Sequence, residues 1–217
     1  MSLKVLLLGA TGLIGKNCLE QLSLESQISK IICLGRRKPL WDGLKIEPYV
    51  VHFTELENCP VDLFKVDVVI CCLGTTIKKA GSQQEFRKLE IDQTLAIAKK
   101  SREQGCGKFI IVTSLGAHYK SSNFYLRIKG EIEEKLKGLG FSSLTILRPS
   151  LLLGSRSERR IGEEIGKWLT SPLKNIKFMG FDKVRPVEAR SVARSIVKEA
   201  LAKSEGVRVI PNEEILS

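Results

Sequence analysis

Ser114, Tyr125 and Lys129 are the residues of this chain best suited to chemistry. Tyr125 and Lys129 stand four apart, and on a helix positions i and i+4 share a face, so a phenol and an ammonium can approach one another there. A free tyrosine, with a pKa of about 10, is a poor base at neutral pH, and a neighbouring ammonium favours the phenolate. Ser114 follows the apolar run Phe109–Thr113 and would donate a hydrogen bond to a reacting oxygen. Such a set moves a proton to or from an oxygen while a hydride moves on the carbon that bears it. Tyr119 is a decoy, because the residue four on is Asn123 and no ammonium supports it.

A hydride needs a carrier, and the first residues read as a site for one. The apolar run Leu3–Leu8 breaks into Gly9-Ala10-Thr11-Gly12-Leu13-Ile14-Gly15, and a helical pattern continues over Leu13–Leu22. In a dinucleotide-binding βα unit the first glycine turns the chain tightly off the strand. The second lets a pyrophosphate approach the backbone, and the third lets the helix pack on the strand. The helix N-terminus then presents unpaired N–H groups and a partial positive charge to the phosphates. Further on, the strand Lys30–Leu34 runs through Gly35 into Arg36-Arg37-Lys38. This is the place, about 20 residues past the glycines, where a carboxylate would bind the ribose 2′-hydroxyl of NAD. Guanidinium groups there suit a 2′-phosphate instead, through paired charge-assisted hydrogen bonds. The expected cofactor is NADP(H), preferred over NAD(H), with Arg36 and Arg37 as its selectors.

The elements that must hold these groups alternate. Strand patterns fall at Leu3–Leu8, Lys30–Leu34, Pro48–His52, Asp67–Leu73, Lys108–Thr113 and Ser143–Leu147, and helical patterns at Leu13–Leu22, Gln84–Gln104 and Phe124–Leu139. Strands apolar on both faces, alternating with helices, imply a parallel sheet covered on each side. The expected fold is α/β, a doubly wound and mostly parallel Rossmann sheet with a small C-terminal substrate lobe. Residues 1–150 form the dinucleotide-binding core. Residues 151–217 hold the lobe, with an amphipathic stretch at Arg160–Leu169, then a last helix at Val187–Ala202 and a short strand at Val207–Ile210, all within one domain. Ligands of such sheets lie beyond the strands' carboxyl ends, where Gly9, Arg36, Gly74, Ser114 and Arg148-Pro149 all fall.

Composition sets the outer bounds. With 217 residues, 43% hydrophobic and 27% charged, the chain has the make-up of one globular domain. Its longest apolar runs are too short to span a bilayer, and no export signal is visible. The 6 cysteines form no C-x-x-C pair and sit mostly in apolar runs, as reduced core thiols would. Together these features point to a cytoplasmic protein. With only 2 histidines, a multi-histidine metal site is not expected. The net charge is +11, and Ser155–Lys198 carries 11 Lys or Arg against 5 Asp or Glu, or +6 of it. Such a stretch suits an anionic small-molecule substrate or an acidic protein partner, or simply solubilises the chain. Its few aromatics argue against specific nucleic-acid binding.

The glycine motif, Ser114 and Tyr125-x-x-x-Lys129 together resemble the short-chain dehydrogenase/reductase superfamily. Cys71-Cys-Leu-Gly-Thr-Thr76, Ser121-Ser-Asn-Phe124 and Lys129-Gly-Glu-Ile-Glu133, with Arg148-Pro149, are similar to its atypical branch of Tat-interacting-protein-type oxidoreductases, over about residues 4 to 170. The resemblance implies an NADPH-bound Rossmann fold. It places Gly74, Thr75 and Thr76 along the ribose and nicotinamide, with Arg148-Pro149-Ser150 near the nicotinamide ring. It also implies that Lys129 bonds the nicotinamide ribose. The leading expectation is an NADP(H)-dependent oxidoreductase acting on a small carbonyl compound or its alcohol. The alternatives are an NADP(H)-sensing regulator that works through protein contacts, and an epimerase-like enzyme of nucleotide sugars.

Overall fold

The computed structural model describes residues 2–153 and 184–216. A parallel sheet runs through the middle of them. Its strands are β1 (Leu3–Leu8), β2 (Ile28–Gly35), β3 (Ile46–Val50), β4 (Val68–Cys71), β5 (Lys108–Val112), β6 (Ser143–Arg148) and, past a two-stranded pair introduced below, β9 (Gly206–Pro211). Their order is β3-β2-β1-β4-β5-β6-β9. Leu8 lies opposite Leu34 of β2 on one side and Cys71 of β4 on the other. The strand order therefore reverses at β1, and a crevice opens above its carboxyl end, where doubly wound sheets bind ligands.

Both faces of the central strands are dry. Side chains alternate along a strand, so Leu6 and Leu8 join the core on one face while Val5 and Leu7 join the core on the other. The first face is covered by the helical run 83–103 and by α5 (Phe124–Lys137). The second is covered by α1 (Leu13–Leu24) and α6 (Ala189–Leu201). Between β4 and that helical run lies the single-turn α2 (Ile77–Ala80). The run itself comprises α3 (Gln83–Arg87), a π-helical turn (Lys88–Asp92) and α4 (Gln93–Glu103). Ser82 caps it by accepting the Glu85 N–H at 3.1 Å, half of the reciprocal arrangement that a Ser-x-x-Glu start favours.

The chain after Pro149 leaves the sheet and returns to it. Leu152–Leu153 (β7) pairs in parallel with Val187–Glu188 (β8). The expected last helix therefore starts at Ala189, because residues 187 and 188 are spent on this pairing. Asn212, fully buried at the start of α7 (Asn212–Leu216), ties the two ends together. Its Oδ1 accepts the Ser150 N–H at 2.8 Å and its Nδ2 donates to the Arg185 carbonyl at 2.8 Å. The final strand completes the main sheet beside β6. Lys108 of β5 closes the end of α6 by donating to the carbonyls of Glu199 and Ala200 at 3.1 and 3.3 Å. Residues 154–183, which include most of the expected substrate lobe, the amphipathic Arg160–Leu169 stretch and much of the basic stretch, lie outside the described residues.

The opening turn behaves as its glycine spacing predicts. Gly9 has φ +77°, a conformation L side chains rarely adopt. A Cβ on Gly15 would lie 2.0 Å from the Gly9 carbonyl oxygen, so only glycine lets α1 rest on the turn. Gly15→Ala is expected to destabilise the fold by about 2 kcal/mol through this overpacking. Urea unfolding followed by circular dichroism would read it as a lower midpoint, and an unchanged midpoint would show that the turn yields freely.

Candidate active site

The crevice above β1 is lined by Gly9, Ala10, Thr11 and Gly12 from the first turn and by Cys33–Arg37 from the end of β2. Cys72–Thr75 after β4, and Leu89, Glu90 and Gln93 from the helical run, complete the lining. At the β2 end Arg36 and Arg37 are exposed, and Arg37 Nη2 reaches toward Thr11 Oγ1 at 3.5 Å. Gly12 is the N-cap of α1, which carries no acidic residue in its first turn and no side-chain cap. The leading N–H groups of any helix lack intrahelical acceptors, so these stand ready for an anion. A Cβ on Gly35 or on Gly74 would meet nothing within 4 Å, so both glycines leave open room in the crevice. Phosphate-seeking amides, guanidinium groups and open glycine walls all fit a dinucleotide.

Across β4, behind the Glu90 wall of the crevice, the residues of the expected catalytic set lie near one another. Ser114, after β5, is buried; its hydroxyl donates to the Leu115 carbonyl at 3.3 Å and lies near enough to the Tyr125 phenol to draw its pKa down. Tyr125 sits in the first turn of α5, which Asn123 caps by accepting the Leu126 N–H at 3.1 Å. Arg127 also donates to the Ser121 carbonyl at 2.8 Å, so the Ser121-Ser-Asn string is the device that sets the start of this helix. Phe86 packs against the Tyr125 ring, with centroids 5.9 Å apart. Lys129, one turn on, puts its ammonium 5.8 Å from the same ring centroid. Tyr119 lies half exposed against His118 and Lys120, away from this set.

One group here was not singled out in the sequence. Glu90, in the π-helical turn, accepts the Lys129 ammonium at 2.5 Å on Oε2 and the Thr75 N–H at 3.0 Å on Oε1. Both side chains of this ion pair are only 5% exposed. The carboxylate holds the Lys129 pKa well above the ordinary lysine value, against the opposing effect of burial. It also changes the expected effect of lysine on tyrosine. The Tyr125 phenol is raised above its usual value, chiefly by burial; Lys129 lowers it, Glu90 raises it again, and the Ser114 hydroxyl lowers it. The net direction is therefore opposite to the one the Tyr-Lys spacing suggests. Apart from its place in a turn widened to π spacing, a feature common at functional sites, nothing local marks Glu90.

The remaining expected contacts are placed as follows. Ile14 and Gly15 are buried beneath the first turn and Leu13 is half-buried beside them. Thr76 caps α2, its hydroxyl accepting the Lys79 N–H at 3.2 Å. Arg148 ends β6 with its guanidinium on Glu133, Nε donating at 3.1 Å and Nη2 at 2.5 Å. Glu133, 1% exposed, also accepts the Thr113 hydroxyl at 2.7 Å and so ties α5 to β5 and β6. Pro149 accepts the Leu115 N–H at 2.8 Å on its carbonyl, and the Ser150 hydroxyl donates to the Arg185 carbonyl at 2.6 Å. Arg148, Pro149 and Ser150 are thus held close to Ser114, with the arginine charge already paired. Among the described residues there is no cluster of three or more His, Cys, Asp or Glu fit to hold a metal ion. No helix among them is long and apolar enough to cross a membrane.

Comparison with known proteins agrees with this architecture. Residues 50–179 match the family described as HIM1. The protein HTATIP2 of Rattus norvegicus is 32% identical over 216 residues, which is 98% of this chain and 87% of the rat protein. A protein of Emericella nidulans named "Protein fmp52, mitochondrial" is 33% identical over 175 residues, 78% of this chain and 75% of that one. Among solved structures, a short chain dehydrogenase family protein from Francisella tularensis superposes with a TM-score of 0.71, at 14% identity, over 100% of both chains. MoeE5 in complex with UDP-glucuronic acid and NAD gives 0.70 at 16% identity, covering 95% of this chain and 75% of that one. The fold is that of the NAD(P)-binding short-chain dehydrogenases and epimerases. The expected cytoplasmic location is corrected by these comparisons, since fungal relatives are named as mitochondrial proteins. Reduced thiols mark a reducing compartment and do not tell one such compartment from another.

Proposed function

The chain belongs to the HIM1 family, and from its site we propose that it is an NADP(H)-dependent oxidoreductase of the short-chain dehydrogenase/reductase type acting on a small carbonyl compound or its alcohol. The observation that supports the reading is the grouping of Ser114, Tyr125 and Lys129 beside the crevice lined by Gly9–Gly12 and Arg36–Arg37, joined to its wall through the Lys129–Glu90 pair. The nicotinamide supplies the hydride when bound. Gly9, Thr11, Gly12 and the first amides of α1 would take the pyrophosphate, while Arg36 and Arg37 would take the 2′-phosphate. Gly74 and Thr75 would flank the nicotinamide half. Ser114 then donates a hydrogen bond to the substrate oxygen, and Tyr125 Oη gives that oxygen its proton.

Two measurements test this reading. NADPH is expected to bind at least tenfold more tightly than NADH, about 1.4 kcal/mol, a modest gain for charge-assisted pairs. Calorimetric titration of both nucleotides checks it, and equal affinities would sink the 2′-phosphate assignment. Arg36→Ala with Arg37→Ala is expected to erase the preference and leave NADH binding nearly intact. A screen of carbonyl compounds followed by NADPH absorbance then seeks turnover. Interconversion of UDP-glucose without net change in NADPH would favour the epimerase-like alternative. A protein partner captured only by the NADPH-loaded form, with no turnover, would favour a sensor.

A further inference from the structure

A buried carboxylate in direct contact with the lysine of a Tyr-Lys pair works against the purpose usually assigned to that lysine. The ammonium that would stabilise a phenolate already has a full negative charge 2.5 Å away. We propose that Glu90 is a positioning residue that neutralises Lys129 beside Tyr125 and so holds the phenol as a proton donor, setting this site for carbonyl reduction over alcohol oxidation at neutral pH. This rests on the oxidoreductase reading above and adds a direction to it.

The geometry leaves Glu90 little freedom to do otherwise. Its two oxygens are occupied by different partners, the Lys129 ammonium and the Thr75 N–H, drawn from α5 and from the loop after β4. Its backbone lies in the π turn between α3 and α4, where the widened spacing sets Leu89 and Glu90 in the crevice wall. Both charges are buried, where solvent screens them little, so the carboxylate opposes the ammonium's effect at the phenol and offsets part of it. The other groups around the pair leave this balance undisturbed. Ser114 offers a neutral hydroxyl from the end of β5. Cys71 of β4 faces Lys129, but burial pushes its thiol up to about 12, so it stays neutral, and Thr94 of α4 bonds its sulfur. Arg87, one turn before Glu90, is turned to the surface and paired with Glu131.

The consequence follows from the proton. In reduction the hydride goes to the carbonyl carbon and the Tyr125 proton goes to the oxygen. The nicotinamide is left oxidised and the tyrosine as phenolate, which regains a proton from water. Oxidation needs the phenolate at the start, to accept the alcohol's proton. A phenol kept protonated past the ordinary tyrosine range supports the first direction at neutral pH and delays the second to alkaline pH.

The test titrates Tyr125 in the nucleotide-free protein, through tyrosinate absorbance, with the Tyr125→Phe protein subtracted. Wild-type Tyr125 is expected to ionise above free tyrosine, and Glu90→Gln to ionise at lower pH than wild type. Glu90→Asp, which keeps the charge, is expected to stay near wild type. A Glu90→Gln shift of less than about 0.3 pH unit, a twofold change in the ionised ratio, overturns the proposal. If Glu90→Gln does not fold, Glu90→Ala is titrated in its place against the same threshold, and wild-type ionisation below free tyrosine also overturns the proposal. In an active enzyme, Glu90→Gln would also move the rise of the oxidation rate to lower pH. The titration reads the charge balance whether or not a substrate is found, so failure of the oxidoreductase reading leaves it standing or falling on its own result.

Discussion

Tyr125→Phe is expected to lower turnover on any substrate by roughly 10² to 10⁴, the scale of lost acid–base catalysis, while folding and NADPH affinity stay near wild type. The substitution removes one hydroxyl and keeps the ring that Phe86 packs against. The cofactor half of the crevice, built on Gly9–Gly12 and Arg36–Arg37, lies across β1 and is untouched. Single-turnover rates and a binding isotherm on the same preparation check it. If the variant binds NADPH normally and keeps full turnover, the proton comes from elsewhere and the Ser-Tyr-Lys mechanism is wrong.

Lys129→Ala is expected to damage both stability and activity. It leaves the Glu90 carboxylate buried with only the Thr75 N–H as partner, and breaking a buried ion pair from one side costs about 3 kcal/mol. For a chain of this size that is roughly 6–12 °C in melting temperature. The catalytic effect has a sign of its own. Lys129 lowers the Tyr125 pKa, so its loss raises that pKa further and moves any phenolate-dependent rate to higher pH. Thermal unfolding and a pH–rate profile separate the two effects. Removing the carboxylate as well, by Glu90→Gln in the same chain, is expected to return most of the stability and little of the turnover. Equal melting temperatures for wild type and Lys129→Ala would show that the pair contributes nothing to the fold.

Much of this protein is determined by neighbours in sequence. The turn after β1 needs glycine at Gly9 for its φ and at Gly15 for the approach of α1, and both requirements are local. The strands declare themselves by apolar runs, and the sheet's parallel sense follows from the helices between them. Tyr125 and Lys129 share a face because a helix turns every 3.6 residues, and Arg36 and Arg37 fall at a strand end that the βα spacing already marks. What only the tertiary structure decided depends on contacts between distant residues. Glu90 meets Lys129 across 39 positions, and a π turn inside what reads as one uninterrupted helix brings it there. Arg148, expected near the nicotinamide, finds Glu133 on α5, and β9 becomes the seventh strand because β6 offers it an edge. Periodicity reports which face of an element is apolar, and spacing reports which groups can meet within one element. Neither reports which buried charge will face another once two elements pack. In this site burial sets the sign of the Tyr125 shift, and that pairing weakens the lysine's opposition to it.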